Sequence, residues 1–414
     1  MTEETGYRPL AGVKVVELST MVAASSLGRI LCDWGAESIK VEGTKGDPFR
    51  NFPKNYRVPC TPDENPLFDS LNGGKQGLVL DLKTPEGMEI LHRLLAEADV
   101  FITNNRQKSL DKMGLDYGTL KARYPRLVYA QITGYGDAGP KAASPGYDTV
   151  AFWANTGFNA DMSVDSPGSY PVYGGVGPGD LITALSLFGA IASALYKRTV
   201  TGEGDRVSIS LYGTGLWCFH LMAVPCEKQY GYTYPRTRYT GTPLGSPYRT
   251  RDNEWIMTTI PNVETQWEDF CAAMDMPELK EDPRFTTTEN LRSPENSSFL
   301  IHHLEEKFLT RTAAQWDKAL AAHNIVHDTL GHYKDMETSE QAWANGDIHQ
   351  VTCPNGKKSV LVRPPMRSDR MGLPAFRRGP LLGEDSDRIL EKLGYSREEV
   401  EALKEKGVTR TTRL

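Results

Sequence analysis

The apolar positions of the first 135 residues follow two alternating rhythms. Short β-branched runs, VKVVEL, SIKVE, GLVLDL, FITN and RLVYAQITGYG, are separated by stretches such as AASSLGRILCDWGA and TPEGMEILHRLLAEADV, whose apolar residues recur at helical spacing. That alternation predicts β-α-β units and a parallel sheet. In the second helical stretch Thr84 is placed to cap the N-terminus, Pro85 to occupy the first turn, and residues 88, 91, 94 and 95 to form one buried stripe.

Further along, LITALSLFGAIASALYKR is apolar almost all round and ends in Lys197 and Arg198, the pattern of a buried helix with a cationic C-terminus. Asp180 stands directly before it and is expected as its N-cap. The approach, GGVGPGDLITAL, carries glycines at 174, 175, 177 and 179. One glycine suffices for a turn, so four suggest a bare backbone that a large ligand could approach. TGEGDRVSISL then reads as turn and strand.

Between about Pro225 and Pro247 the pattern breaks into Tyr, Pro and Gly, predicting a linker and loop before a new strand, EWIMTTI. Residues 262–330 are largely helical by pattern, and PLLGEDSDRILEKLGYSREEVEALKEKG supplies two capped helices. The expected organisation is a large domain over 1–224, a linker over 225–247, a small domain over 248–335, and a return segment over 336–414 whose helices pack on the large domain. The fold class is α/β: a Rossmann-like parallel sheet plus a smaller α+β domain.

Composition changes this picture little. Of 414 residues, 39% are apolar and 24% charged, and the net charge of −6 offers no global field for nucleic acid or an anionic membrane. Cysteines 32, 60, 218, 226, 271 and 353 form no C-x-x-C pair, which fits a reducing, cytoplasmic setting better than a disulfide framework. The N-terminus has no basic and apolar leader, and the run from Leu181 to Tyr196 is too short to span a bilayer comfortably, so neither export nor insertion is expected.

Several chemistries can be weighed. A dinucleotide site with Glu42 as the ribose acid would need glycines at the first strand-to-helix turn, and the turn here is STMVAASSLG. His323, His327 and His332 could converge on a metal only if helical, but HNIVHDTLGH carries Asn and Gly and reads as a solvated loop, so no metal is expected. No G-x-S-x-G elbow or activated cysteine is present. What remains is Asp180 with cations after the strands, Lys75, Arg106, Lys108 and Lys112. At the ends of parallel strands these could hold a phosphorylated nucleotide such as the ADP part of coenzyme A.

PLAGVKVVELSTMVAASSLGRILCDWGAESIKVEGTKGDPFR, LDLKTPEGMEIL, LDKMGLDYGTLKARYPRLVYAQITGYGDAGP, GPGD, KRTVTGEGDRVSISL, EDPRF and PLLGEDSDRILEKLGY, in that order, resemble the class III CoA-transferases. ENPLF, LNGGKQG and EQAWAN look closer to the clostridial branch acting on 2-hydroxyisocaproate or phenyllactate. The resemblance implies an interlocked homodimer, acyl-CoA and carboxylic acid substrates, coenzyme A as co-substrate, and no permanently bound cofactor. It makes Asp180 the covalent nucleophile, forming an aspartyl anhydride and then an aspartyl-CoA thioester. It places the CoA site at Thr20, Met21, Val22 and Ala23 with Lys75, Asn104, Asn105 and Lys112, beside Arg106, and puts Tyr135 near the active centre. Gly43 stands where formyl-CoA transferases carry a basic residue, and the small-domain glycine loop is shortened to TGTPLGSPY.

The same fold hosts 2-methylacyl-CoA racemases, which use the histidine of a G-H-D motif as a base. Here the motif is GYDTV, and a phenol such as Tyr147, with an ordinary pKa of ~10, is a poor base at neutral pH. A binding module without chemistry would have no use for a carboxylate in a glycine-lined approach. Phe152, Trp153 and Tyr147, with Gly179, are expected to line an apolar acyl pocket. The preferred substrates are a branched or aromatic 2-hydroxy acid and its enoyl-CoA partner.

Overall fold

The β-branched runs pair side by side: in the computed structural model, which describes residues 6–413, they build one six-stranded parallel sheet. Its elements are β1 (Lys14–Leu18), α1 (Ala23–Asp33), β2 (Glu37–Glu42), α2 (Pro66–Asn72), β3 (Gln76–Val79), α3 (Pro85–Glu97), β4 (Val100–Thr103), α4 (Gln107–Met113), α5 (Tyr117–Arg123) and β5 (Val128–Thr133). The short α6 (Phe158–Asp161) precedes α7 (Pro178–Thr201), β6 (Arg206–Ser210) and α8 (Leu211–Ala223). The strand order is β3-β2-β1-β4-β5-β6, so the winding reverses between β1 and β4. A doubly wound sheet opens a crevice there, outside the carboxyl ends of the strands.

Local signals account for the helices around it. Thr84 caps α3 by accepting from the Gly87 amide at 3.1 Å, and Ile90, Leu91, Leu94 and Leu95 are buried. On one face of the sheet these leucines join Phe101, Leu110 and Tyr129; on the other, α1 and α7 pack together through Leu27, Leu31, Leu187 and Ile191. α7 is long and apolar enough by composition to cross a membrane, but its Ala184–Leu195 side belongs to this core.

The chain divides into two compact units. The first comprises the residues up to Gly157, Tyr173–Met222 and the chain from Ser339 onward; the second comprises Phe158–Val172 and Ala223–Thr338. The second unit has an antiparallel sheet of β7 (Pro247–Arg249), β8 (Trp255–Thr259) and β9 (Val326–Thr329). Helices α9 (Val263–Met274), α10 (Thr288–Leu291), α11 (Pro294–Phe308) and α12 (Ala313–Ala322) close its core around Trp267, Phe270, Phe308 and Trp316. His327 lies on β9, not on a helix, and its ring bonds Asp317, so the i, i+4 histidine spacing has no helical meaning.

In the first unit the chain ends with α13 (Glu340–Asn345), the hairpin β10 (Ile348–Thr352) and β11 (Lys358–Val362), α14 (Ser386–Lys392) and α15 (Arg397–Glu405). Ile389, Leu390, Val400 and Leu403 return these last two helices to the sheet's core.

Candidate active site

Where the sheet's winding reverses, the loops after β1, β4 and β5 border an open cleft of about 1230 Å³. That exceeds the ~300–1000 Å³ usual for a small-molecule pocket. Thr20–Ala23 form its wall after β1, Asn104–Ser109 after β4, and Thr133 at the end of β5 with Gly134, Gly136 and Asp137 beyond it; Tyr147, Asp148, Val176 and Asp180 also line it.

Asp180 reaches this wall in the third position of α7. Pro178 begins the helix, as its fixed φ allows, and Gly177 is the cap at φ +104°. Asp180 is therefore not the N-cap. The cap is supplied by another segment: the Asp148 carboxylate accepts from the Gly177 amide at 2.8 Å and the Gly179 amide at 3.1 Å. Burial pushes the Asp148 carboxyl up, and the amides of Gly177, Asp180 and Gly179 pull against it. Asp180 itself is partly buried, and burial together with the neighbouring Asp148 charge pushes its carboxyl up to about 7.

The four glycines divide into two kinds. Gly175 and Gly177 adopt φ +83° and +104°, where a side chain would be strained. A Cβ at Gly179 would stand 2.8 Å from Phe152 Cβ, and one at Gly174 would stand 2.5 Å from Trp153 Cε2. These two are small because aromatic rings fill their side-chain space.

The family model for CoA-transferase family III matches residues 10–386. The chain belongs to that family. It is 35% identical over 402 residues to cinnamoyl-CoA:phenyllactate CoA-transferase of Clostridium sporogenes, covering 97% of each chain. To (R)-2-hydroxy-4-methylpentanoate CoA-transferase of Clostridioides difficile it is 34% identical, covering 97% of this chain and 99% of the relative. Among solved structures, a CAIB/BAIF family protein of Brucella suis superposes with a TM-score of 0.78 at 30% identity, covering 93% of this chain and 99% of that one. The protein is thus a CoA-transferase, with coenzyme A as co-substrate.

The CoA-transferase cavity gathers Thr20, Met21, Val22, Ala23, Asn104, Asn105, Arg106, Tyr147 and Asp180. Met21 sits at φ +66°, held by its amide's bond to Asp47 Oδ1 at 3.0 Å. Asn104 clasps Thr20 twice, accepting from its amide and donating to its carbonyl at 2.7 Å. Exposed Arg106 and Lys108 bring cations to the wall, and Arg206 is bound to Asp137 at 2.7 Å.

Other expected contacts lie elsewhere. Lys75 is buried, bonded to Glu17 Oε2 at 2.7 Å, the Ser25 carbonyl at 2.7 Å and Asn72 Oδ1 at 2.9 Å, which leaves its ammonium nothing to offer a ligand. Burial pushes that ammonium down to about 8 despite Glu17. Lys112 is exposed on α4 outside the cavity wall, and Tyr135 packs beside Tyr212 while its neighbours Gly134 and Gly136 line the wall. Phe152 is buried and Trp153 packs on it edge-on; neither lines the cavity. The TGTPLGSPY loop falls in the second unit, where its Leu244 carbonyl accepts from Thr258. Among the described residues no cluster of three or more His, Cys, Asp or Glu could hold a metal.

Sequence reasoning passed over Asp148, which follows Tyr147 in GYDTV, because its role depends on amides far along the chain. It also passed over the buried set beneath the Met21 turn: Lys40 bonds Glu17 at 2.9 Å and Asp47 at 3.0 Å, all three sealed from solvent. Glu42, weighed as a ribose ligand, is buried against Arg50.

Proposed function

We propose that this CoA-transferase exchanges coenzyme A between an acyl-CoA and a branched or aromatic 2-hydroxy acid, through covalent intermediates on Asp180. The observation that carries the reading is a partly buried carboxylate, Asp180, on the wall of a cavity large enough for a nucleotide. The substrate class rests on the relatives, whose names specify phenyllactate and 2-hydroxy-4-methylpentanoate.

The Asp180 carboxylate attacks the donor's thioester carbon; the new C–O bond forms as the C–S bond breaks, and the electron pair leaves on the CoA thiolate. The thiolate then attacks Asp180 Cγ in the mixed anhydride, making the aspartyl-CoA thioester and expelling the donor acid as carboxylate. The acceptor carboxylate runs the two steps in reverse. One negative charge enters and one leaves at each step, so no proton must move. Exclusion of water conserves the thioester's energy. Thr20–Ala23, Asn105, Arg106 and Lys108 are positioned to hold the CoA moiety, with Tyr147 and Val176 near the acyl end.

The active form is proposed as a homodimer. α8 presents Trp217, 74% exposed, and Leu221, 76% exposed, one helical turn apart, and α7 presents Tyr196 and Val200 at the same spacing.

Incubation with phenyllactyl-CoA and then hydroxylamine tests the mechanism. The expected result is inactivation and a gain of about 15 Da on the peptide Gly174–Leu185, as OH is replaced by NHOH at an activated acyl carbon. Modification of another carboxylate, or none, would overturn it.

A further inference from the structure

We infer that Asp148 is a positioning residue for the transfer reaction, capping the nucleophile's helix from outside so that the Asp180 carboxylate is released from capping and left to face substrate. The inference rests on Asp180 being the nucleophile.

The first turn of a helix leaves amides without partners, and an aspartate within that turn ordinarily turns back to accept from them. A carboxylate so engaged is a weaker base and points at its own backbone. In α7 the cap residue is Gly177, which has no side chain to offer. Asp148, 2% exposed, accepts from the amides of Gly177 and Gly179 with one oxygen. Among the described residues no donor bonds the Asp180 carboxylate, and burial with the neighbouring Asp148 charge pushes it up.

Asp148 thus does two things at once. It satisfies the backbone that would compete for Asp180, and its anion offsets the positive end of the α7 dipole, which would otherwise make Asp180 a feebler nucleophile. Both effects favour a more basic carboxylate, with the corollary that its ionisation is delayed to higher pH.

Among the described residues, charged and titratable groups on neighbouring segments are engaged with other partners. Across α1, Arg29 is bonded to Asp33 at 2.8 Å. On β6, Arg206 is bonded to Asp137, and on the loop after β5, Lys141 is bonded to Asn155 at 2.7 Å. On α8, His220 is turned to the Trp217 carbonyl. Tyr147 precedes Asp148 and lines the cavity, and burial and Asp148 remain the influences on Asp180.

The decisive variants keep an acceptor for the two amides while removing the charge: Asp148→Asn, with Asp148→Ser as a second neutral cap should the first not fold. The readouts are the carbon-13 titration of Asp180 Cγ, assigned by its loss in Asp180→Asn, and the pH profile of kcat/KM. A structural cap alone would leave both midpoints where they are. The expected result is a fall in both by about one pH unit or more, the size of shift a neighbouring charge produces, with a several-fold lower rate at the alkaline plateau. An unchanged Asp180 midpoint in a folded variant would overturn the inference without touching the transfer mechanism. Full transfer by Asp180→Asn would instead overturn Asp180 as nucleophile. The Cγ titration needs no turnover, so the two failures are separable.

Discussion

Phe152 fills the space in which a side chain at Gly179 would have to stand, with Phe152 Cβ 2.8 Å from where a Cβ would be built. The ring in turn packs on Trp153 and Phe219 at centroid distances of 5.0 Å and 5.3 Å, so it has little room to yield. Gly179→Ala should therefore displace the first turn of α7, lowering stability by ~1–3 kcal/mol, the usual cost of overpacking. Because Asp180 is the next residue, transfer should fall far more than the melting temperature suggests. Thermal unfolding and kcat measured together check this; a variant as stable and as active as the parent would refute the packing argument.

Asp180→Asn should abolish transfer and yet stabilise the fold above neutral pH. A carboxyl raised to about 7 in the native state and ordinary in the unfolded state binds more protons when folded, so stability falls as pH rises between the two values. The amide has no such charge. Its advantage should grow from nothing near pH 4 to as much as ~4 kcal/mol at pH 8, read from denaturant midpoints of the two proteins. Mass spectrometry on the variant excludes reversion by deamidation.

For wild-type enzyme, kcat/KM should decline as pH falls through about 7, because the attacking carboxylate must be ionised. A profile flat to pH 5 would contradict the raised carboxyl.

Lys75 and Arg106, both expected from the sequence to meet CoA, should separate cleanly. Lys75→Met removes one partner of a buried pair and should cost ~3–5 kcal/mol while leaving the KM for acyl-CoA of the folded fraction unchanged. Arg106→Ala should be as stable as the parent and raise that KM, with the effect shrinking at high salt. Isothermal titration with CoA and urea unfolding distinguish the two.

If the apolar stripe on α8 is a subunit contact, Trp217→Glu should shift the species seen by sedimentation from dimer to monomer. An unchanged sedimentation coefficient would assign that face to something else.

The alternation of β-branched and helical runs was enough to specify a parallel α/β sheet, and the cap of α3 at Thr84 was readable because a cap and its helix are neighbours in the chain. The start of α7 was legible for the same reason, marked by the glycines and a carboxylate, although Asp180 stands inside the first turn and Gly177 is the cap. The family followed from ordered motifs along the chain. What the sequence could not supply was which side chains meet across long separations. Lys75 was expected at the CoA site, and only folding sets it against Glu17 and Asn72, where burial and three bonds remove it from any ligand. Phe152 and Trp153 looked like pocket walls, whereas their rings occupy the space vacated by Gly179 and Gly174. Asp148 stood in the GYDTV motif, but its capping role carried no signal, because the amides it caps belong to a helix that begins beyond an intervening segment of the second unit. Local geometry is fixed by backbone and cap chemistry within a few residues, which sequence displays. Burial, charge pairing and capping between segments are properties of the packed chain, and they decided which residues of this site face the cavity.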